Sequence, residues 1–490
     1  MKLTDIKESD FDFIYSLTSN QDVIKHIENG KLWDKEKTKT FIEYSLEEQK
    51  IPNKNRFHYY YIISDKNKQI GIIGFFKEKD KNYYLRIFLD PQFQGQGYFT
   101  KSLNIIKERL LKYKNVEKLY ADVHQTNEKM NIIMRNKFFF NKVKYYGKIA
   151  VNQYIIFLRN YTYLVKSDYI PEKVIDKFFK DRGNWIKHNP KSSIEVDYIR
   201  LDGKHYYDKN NRKYKSILKN IVNDGKKKLD VKSNLIKTLG KKHYLPTTYI
   251  FDHQEEFEKI KQKLISNERA WIFKPDGGYS GKGIEIYRKK DFEKIKINPK
   301  YKRWNLQEYI ENPMLIDGKK FHLRVLFLYR AGYLNKPASS FWFKHIPIYL
   351  AKKKFKYDDF NDEDVHISHY QTDQEALYFQ DLNLNKNQMV KILKDIKLIM
   401  IDLANNLKAG CYKNDCLRCY EIFGVDLMIT DDYKVKLIEF NSKIGLKEFT
   451  NDEFKFNQHL LQAELELTAD YFLPSKNKLN KEKNDFILIN

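Results

Sequence analysis

The sequence predicts a chain of two mixed parts, of α/β and α+β architecture. Three stretches carry that prediction. Residues 83–110 run as a strand, a glycine turn and an amphipathic helix. Residues 271–287 read as two strands flanking a glycine-rich turn, with no helix behind it. Residues 423–441 read as two apolar runs around the short acidic turn Thr430-Asp431-Asp432-Tyr433. At 490 residues the chain is too long for one core, and two or three domains are expected. Composition and punctuation place them at 1–160, a linker at 161–185, a further region at 186–255 and a main body at 256–474. The Lys- and Asn-rich tail, 475–490, is expected to be mobile.

The formal charge is +25, from 90 Lys and Arg against 65 Asp and Glu. Such a balance suits an acidic partner. The lysines are spread along the whole chain, however, so nucleic acid is disfavoured, and the run Lys226-Lys227-Lys228 reads as a solvated face. A hydrophobic content of 42%, with 36 Tyr and 33 Phe, is ample for packed cores. Three cysteines imply no disulfide framework. The start of the sequence shows no signal-peptide apolar region, and no stretch is apolar enough to span a membrane. A cytoplasmic protein is expected.

In the first part, residues 12–49 read as helical, and 59–63 and 70–76 as strands. The strand 83–89 enters Asp90-Pro91-Gln92-Phe93-Gln94-Gly95-Gln96-Gly97-Tyr98, and a helix follows with Phe99, Leu103, Ile106 and Leu110 on one face. Backbone N–H groups at such a helix start can hold a pyrophosphate, and glycines let the backbone approach it. Further on come a strand at 119–124 and a helix opening at Asn127-Glu128-Lys129. This order resembles the GNAT acetyltransferase family, whose acetyl-CoA loop reads Gln/Arg-x-x-Gly-x-Gly/Ala. The resemblance implies a GNAT fold, a mixed sheet with helices, and acetyl-CoA as cofactor. It places Gln92, Gln94, Gly95, Gln96, Gly97, Tyr98 and Asn127 at that cofactor. The chain departs from the family where a tyrosine acid is usual, at Met134, and where a strand carboxylate often serves as base, near Tyr84. His124 or Tyr84 could assist transfer, or the part could be a binding module only.

In the second part, a strand ends in Lys274-Pro275 and continues as Asp276-Gly277-Gly278-Tyr279-Ser280-Gly281-Lys282-Gly283. This is no P-loop, because Asp276 stands where Gly is required and Gly283 where Ser or Thr should be. A glycine flap between antiparallel strands can instead close over phosphates, with Lys274 as a point charge. In the hairpin 423–441, period two puts Glu439 and Asn441 on one face, and Asp426 can join them. That is either a wet sheet face or an oxygen-donor site for a hard cation such as Mg²⁺.

With Leu306-Gln307-Glu308-Tyr309 and Lys319-Lys320-Phe321-His322-Leu323-Arg324 lying between flap and hairpin, residues 180–470 resemble the tubulin–tyrosine ligase-like branch of the ATP-grasp superfamily. The resemblance implies an ATP-grasp fold and an ATP- and Mg²⁺-dependent carboxylate–amine ligase. Lys274, Gly281 and Lys282, with Lys232 as an earlier lysine, would meet the ATP phosphates. Gln307 and Tyr309 would meet the adenine. Lys320 and Arg324 would be catalytic, and Asp426, Glu439 and Asn441 would hold Mg²⁺. The family's aspartate in the Lys-Phe-Asp-x-Arg block is His322 here. Asp364-Val365-His366-Ile367-Ser368 is similar to its His-Leu-Thr-Asn block, with His369 in place of the asparagine. The partners expected are an amino acid and a protein, peptide or small-molecule acceptor, an acidic protein tail among them. Cys411, Cys416 and Cys419 could hold Zn²⁺ but lack a fourth ligand nearby, so free thiols are favoured.

Overall fold

The computed structural model describes the chain except residues 28–29, 79–81, 115–117, 159, 169, 190–194, 213, 221–228, 265–267, 278–282, 299, 333–337, 369–375, 408–415, 443, 445, 447–450, 474–483 and 490. Contacts divide it into two units, Met1–Tyr161 with Phe472–Lys476, and Thr162–Tyr471 with Asn477–Asn490.

The first unit is built on a seven-stranded sheet, in the order Lys2–Asp5, His58–Asp65, Lys68–Lys77, Tyr83–Leu89, Lys118–His124, Ile149–Phe157 and Phe139–Tyr146. Strand alternation sends Tyr59, Tyr61 and Ile63 to one face, against Leu103, Ile106 and Leu110 of the helix Tyr98–Lys114. It sends Tyr60 and Ile62 to the other, against Ile14 and Leu17 of the helix Phe11–Thr18 and Ile42 of Lys35–Lys50. The expected helical run at 12–49 is thus broken, with Asn20 and Asp34 capping separate helices. Among the described residues the one parallel pair of this sheet, Tyr83–Leu89 with Lys118–His124, is joined at Tyr83 and Tyr84 and then separates.

The second unit holds two sheets. The small one is antiparallel, in the order Thr248–Phe251, Trp304–Glu308, Ala270–Pro275, Glu285–Arg288. It packs Phe251, Phe273 and Trp304 on Phe257 and Ile260 of the helix Gln254–Lys263. The strand after the glycine turn pairs back on Ala270–Pro275, as the absence of a following helix implied. The large, eleven-stranded sheet is organised by the strand Cys416–Ile429, which pairs in parallel with Lys215–Lys219 through its first residues and antiparallel with Lys319–Arg330 through the rest. Its inward side chains, Val425, Leu427 and Ile429, meet Ile392, Ile396, Ile399 and Leu403 of the helix Lys386–Asn406, spaced for one helical face.

Two expectations about boundaries are corrected here. The stretch 161–185 is no linker: Tyr161–Lys166 is a strand of the large sheet, pairing in parallel with Glu195–Leu201, and the helix Glu172–Asp181 buries Val174, Ile175, Phe178 and Phe179. Pro171 looks like a junction and is instead the helix N-cap. The tail is also not free along its length, because Phe486–Leu488 pairs with Ser339–Phe343 at the sheet edge. Apolar side chains there outweigh the polar composition of the preceding residues. Among the described residues no helix is long and apolar enough to cross a membrane.

Candidate active site

The large sheet lays three chemistry-bearing side chains in one row. Arg324 stands opposite Asp426, and Asp426 opposite Glu439, on three consecutive antiparallel strands. The Arg324 guanidinium grips Asp426 with both Nε and Nη2, the latter 3.0 Å from Oδ2. Burial alone would lower the arginine's pKa, but the Asp426 carboxylate beside it outweighs this and raises it above the ordinary value. The side chain crosses Gly424, where any Cβ would come within 2.8 Å of Arg324 Cδ. Asn441 donates its Nδ2 to Asp426 Oδ2 at 2.9 Å, which turns its amide oxygen the other way. Two carboxylates and an amide oxygen on one sheet face form a hard-donor set that fits Mg²⁺.

One lysine of the small sheet and one of a helix beside it reach the same site. Lys274 is buried and donates to Gln307 Oε1 at 2.8 Å, while Gln307 donates to Thr248 Oγ1 at 2.8 Å. Burial, and then the neighbouring Lys232 charge, bring the Lys274 pKa down to about 8. Lys232, on the helix Lys232–Leu239, pairs with Glu439 at 2.9 Å. Asp276, the residue that ruled out a P-loop, accepts from Ser233 N, Ser233 Oγ and Asn305 Nδ2, at 2.9, 2.5 and 2.8 Å. It pins the Lys232 helix to the small sheet.

Lys320 has its own chain of partners. Its Nζ donates to the Tyr309 hydroxyl at 2.9 Å, that hydroxyl meets His366 Nδ1 at 2.8 Å, and His366 Nε2 meets the Asp359 carbonyl at 2.8 Å. The carbonyl requires a proton on Nε2, so Nδ1 accepts from Tyr309. Burial brings the Lys320 pKa to about 7 and, with the Lys320 charge second, lowers that of His366. His322, in place of the expected aspartate, lies 3.8 Å from Asp426 and 2.6 Å from Ser368 Oγ.

The structure therefore brings together Lys232, Lys274, Gln307, Tyr309, Lys320, Arg324, Asp426, Glu439 and Asn441. Gly281, Lys282, His369, Lys226-Lys227-Lys228 and Cys411 lie outside the described residues. So does the side chain of Cys416, while Cys419 is buried and outside any disulfide. Asp276, Gly424 and the Tyr309–His366 contact were not singled out from sequence. Only the contrast of Asp276 with a P-loop glycine hinted at any of them.

In the first unit, Gly95 and Gly97 take φ of +78° and +82° with open space beside them. The loop is braced by Gln94 Nε2 on the Leu89 carbonyl at 3.1 Å and Gln96 Nε2 on the Gln92 carbonyl at 2.7 Å. Gln92 N donates to Asp90 Oδ1, and Tyr98 OH to Asp65 Oδ2. Asn127 is committed as a helix cap, its Oδ1 accepting from Met130 N at 3.2 Å. Where the parallel strands separate, a cleft of about 340 Å³ opens, lined by Arg86, Asp122, His124, Asn127 and Met134 among others. Tyr84 and Asp122 share a cluster there with Lys144 and Tyr146, which sequence reading did not find: Tyr146 OH donates to Asp122 Oδ2 at 2.6 Å and Lys144 Nζ to Tyr146 OH at 2.8 Å.

Two sheets that bring buried lysines to a carboxylate–amide set are the architecture of an ATP-grasp protein, here joined to a separate acetyltransferase-type sheet. The tubulin-tyrosine ligase family model matches residues 200–480, and the chain belongs to that family. The acetyltransferase (GNAT) domain model matches residues 1–137. Among curated proteins the chain is similar to Tubulin glycylase 3B of Tetrahymena thermophila, 28% identical over 255 residues, covering 47% of this chain and 21% of that protein. It is 21% identical over 245 residues to the Probable tubulin polyglutamylase ttll-9 of Caenorhabditis elegans, covering 45% and 56%. It is 26% identical over 253 residues to the Inactive polyglycylase TTLL10 of Homo sapiens, covering 43% and 36%. The chain thus spans between a fifth and just over half of the length of these relatives.

Proposed function

We propose that the second unit is an ATP- and Mg²⁺-dependent ligase that joins an amino acid to a protein tail, peptide or small molecule through an amide bond. The observation that carries this reading is the row Arg324–Asp426–Glu439 facing Lys274 and Lys232 across the cleft. Asp426, Glu439 and Asn441 would hold Mg²⁺, which when bound neutralises phosphate charge. Lys274 and Lys232 receive phosphate oxygens, and Gln307 holds Lys274 in place. A substrate carboxylate oxygen attacks the γ-phosphorus as the bond to ADP breaks. The acceptor amine then attacks the acyl carbon, releasing phosphate and giving up a proton to solvent. Arg324 offers a fixed fork to charge on the transferring group. The relatives named as tubulin glycylases and polyglutamylases support an amino-acid donor and a protein acceptor. ADP release with a panel of amino acids, compared between wild type and Glu439→Gln, tests this. Equal turnover in the two proteins would sink the metal assignment, and mass spectrometry of the products names the donor.

The first unit we read as an acetyl-CoA-dependent N-acetyltransferase, its pyrophosphate site at Gln92–Gly97 and its acceptor in the cleft beside Asp122 and His124. A second reading, a binding module without turnover, is favoured by Met134, buried at the cleft where the tyrosine acid is usual. Acetyl-CoA consumption against an amine panel separates the two: binding without turnover on every amine leaves the module.

A further inference from the structure

Away from the nucleotide cleft, three side chains distant in sequence converge at the edge of the large sheet. His345 follows the strand Ser339–Phe343, His459 lies on the helix Asn451–Leu467, and Asp485 precedes the strand Phe486–Leu488. Nε2 of His345 and Nε2 of His459 each lie 3.0 Å from the same oxygen, Oδ2 of Asp485. The three donor atoms fall within 4.8 Å of one another. The other carboxylate oxygen is occupied: Lys344 Nζ stands 2.5 Å from Oδ1.

We propose that His345, His459 and Asp485 form a binding site for a divalent transition-metal ion of the Zn²⁺ class, separate from the Mg²⁺ set of the cleft. Donors held about 2.1 Å from an ion at tetrahedral angles stand about 3.4 Å apart, so an entering ion need open the two 3.0 Å contacts to Asp485 by only a few tenths of an ångström. Two imidazoles and one carboxylate select zinc and its neighbours over magnesium, and leave further positions to water. Both imidazoles already aim Nε2 at one carboxylate oxygen, the nitrogens that a metal ion would take. Lys344 acts on the ligand rather than the ion, holding Oδ1 so that Oδ2 faces the imidazoles. Its charge makes this a weaker site than a closed four-ligand one. Phe343 fixes the ring orientations, with centroids 5.3 Å from His345, 5.5 Å from His459 and 5.1 Å from Phe486.

The ligands come from three elements, so a bound ion fastens the helix and the last strand to the sheet. Its binding free energy then appears as stability of the folded chain. The test uses the full chain in a Glu439→Gln background, which weakens the Mg²⁺ set, after stripping with a chelator. Zn²⁺ is titrated calorimetrically, Tm is read with and without Zn²⁺, and Co²⁺ gives a visible spectrum. His459 is 51% exposed, so His459→Gln leaves packing intact, and His345→Gln serves as the second variant. The expected result is a Zn²⁺ affinity at least about tenfold weaker in each variant, with loss of the Zn²⁺-induced rise in Tm. Equal affinity and equal Tm shift in all three proteins overturn the site and leave a hydrogen-bonded cluster only. A thiolate-to-Co²⁺ charge-transfer band that persists in both variants overturns it as well, moving the metal to the cysteines.

Discussion

Arg324 and Asp426 face each other across two antiparallel strands, and the guanidinium holds the carboxylate through two nitrogens at once. A carboxylate proposed to bind a cation is thus held and aimed by a fixed positive charge before any cation arrives. Replacing the fork with a point charge separates these roles. Arg324→Lys is expected to fold, to retain ATP binding and to lose about 10²- to 10³-fold in ligation rate, as measured by ADP release. A full-rate Arg324→Lys enzyme would remove Arg324 from the chemistry.

Gly424 offers a second handle on the same pair. A methyl at this position meets Arg324 Cδ at 2.8 Å, so Gly424→Ala must push the arginine off Asp426. Turnover should fall by at least about tenfold while Tm drops only slightly, the strain being worth roughly 1–3 kcal/mol. Thermal melts and ADP release on the same preparation check both halves.

Proton bookkeeping gives a third prediction. In the nucleotide-free protein Lys320 and Lys274 titrate near 7 and 8. Phosphates beside them favour the charged ammonium and raise both values, so ATP binding must take up protons at pH between the free and bound values. Calorimetry at pH 8 in buffers of different ionisation enthalpy should show net uptake, reduced in Lys274→Met.

The same depressed pKa has a sign for stability. Lys274 is fully buried, and its folded value of about 8 lies below the unfolded 10.4. The unfolded chain therefore binds more protons between these values, and the cost of charging Lys274 is complete below pH 8 and shrinks as pH rises toward 10.4. Lys274→Met should abolish turnover yet stabilise the fold at pH 7 by up to about 3 kcal/mol, less whatever the Gln307 bond contributes. A chemical denaturation series at pH 7 and 9.5 should show the gain shrinking at the higher pH.

In the first unit, Gly95 and Gly97 hold positive φ with room beside them, so their requirement is conformational rather than steric. Gly97→Val should cost the loop about 1–2 kcal/mol of local strain and abolish acetyl-CoA binding. ATP turnover should be unchanged. Calorimetry with acetyl-CoA, beside ADP release, reads both.

Much of this architecture was legible in the residues, because strands announce themselves by period two and hairpins by their turns. Glu439 and Asn441 share a face for that reason, and Asp426 lies across the five-residue turn 430–434. The partner Arg324 is 102 positions away from Asp426, and no local pattern encodes that register. Likewise Asp122 meets Lys144 and Tyr146 because both their strands pair with Ile149–Phe157, one on each side. The misread linker shows the converse error. Tyr161–Lys166 carries buried Tyr163, Leu164 and Val165 in a row, the mark of a strand covered on both faces, which periodicity cannot separate from an irregular apolar segment.

Asp276 has a mechanical consequence. Its carboxylate takes two hydrogen bonds from Ser233 in the first turn of the Lys232 helix and a third from Asn305 of the small sheet, while the same helix buries Leu235 and Leu239 in the core of the large sheet and pairs Lys232 with Glu439. The helix is thus a rivet between the two sheets, and Ser442 adds a further tie by donating its N and Oγ to Asp230 just before that helix. A nucleotide of the proposed kind would meet two sheets already fastened along one side, with the Lys232–Glu439 pair as the contact to be exchanged for phosphate and cation.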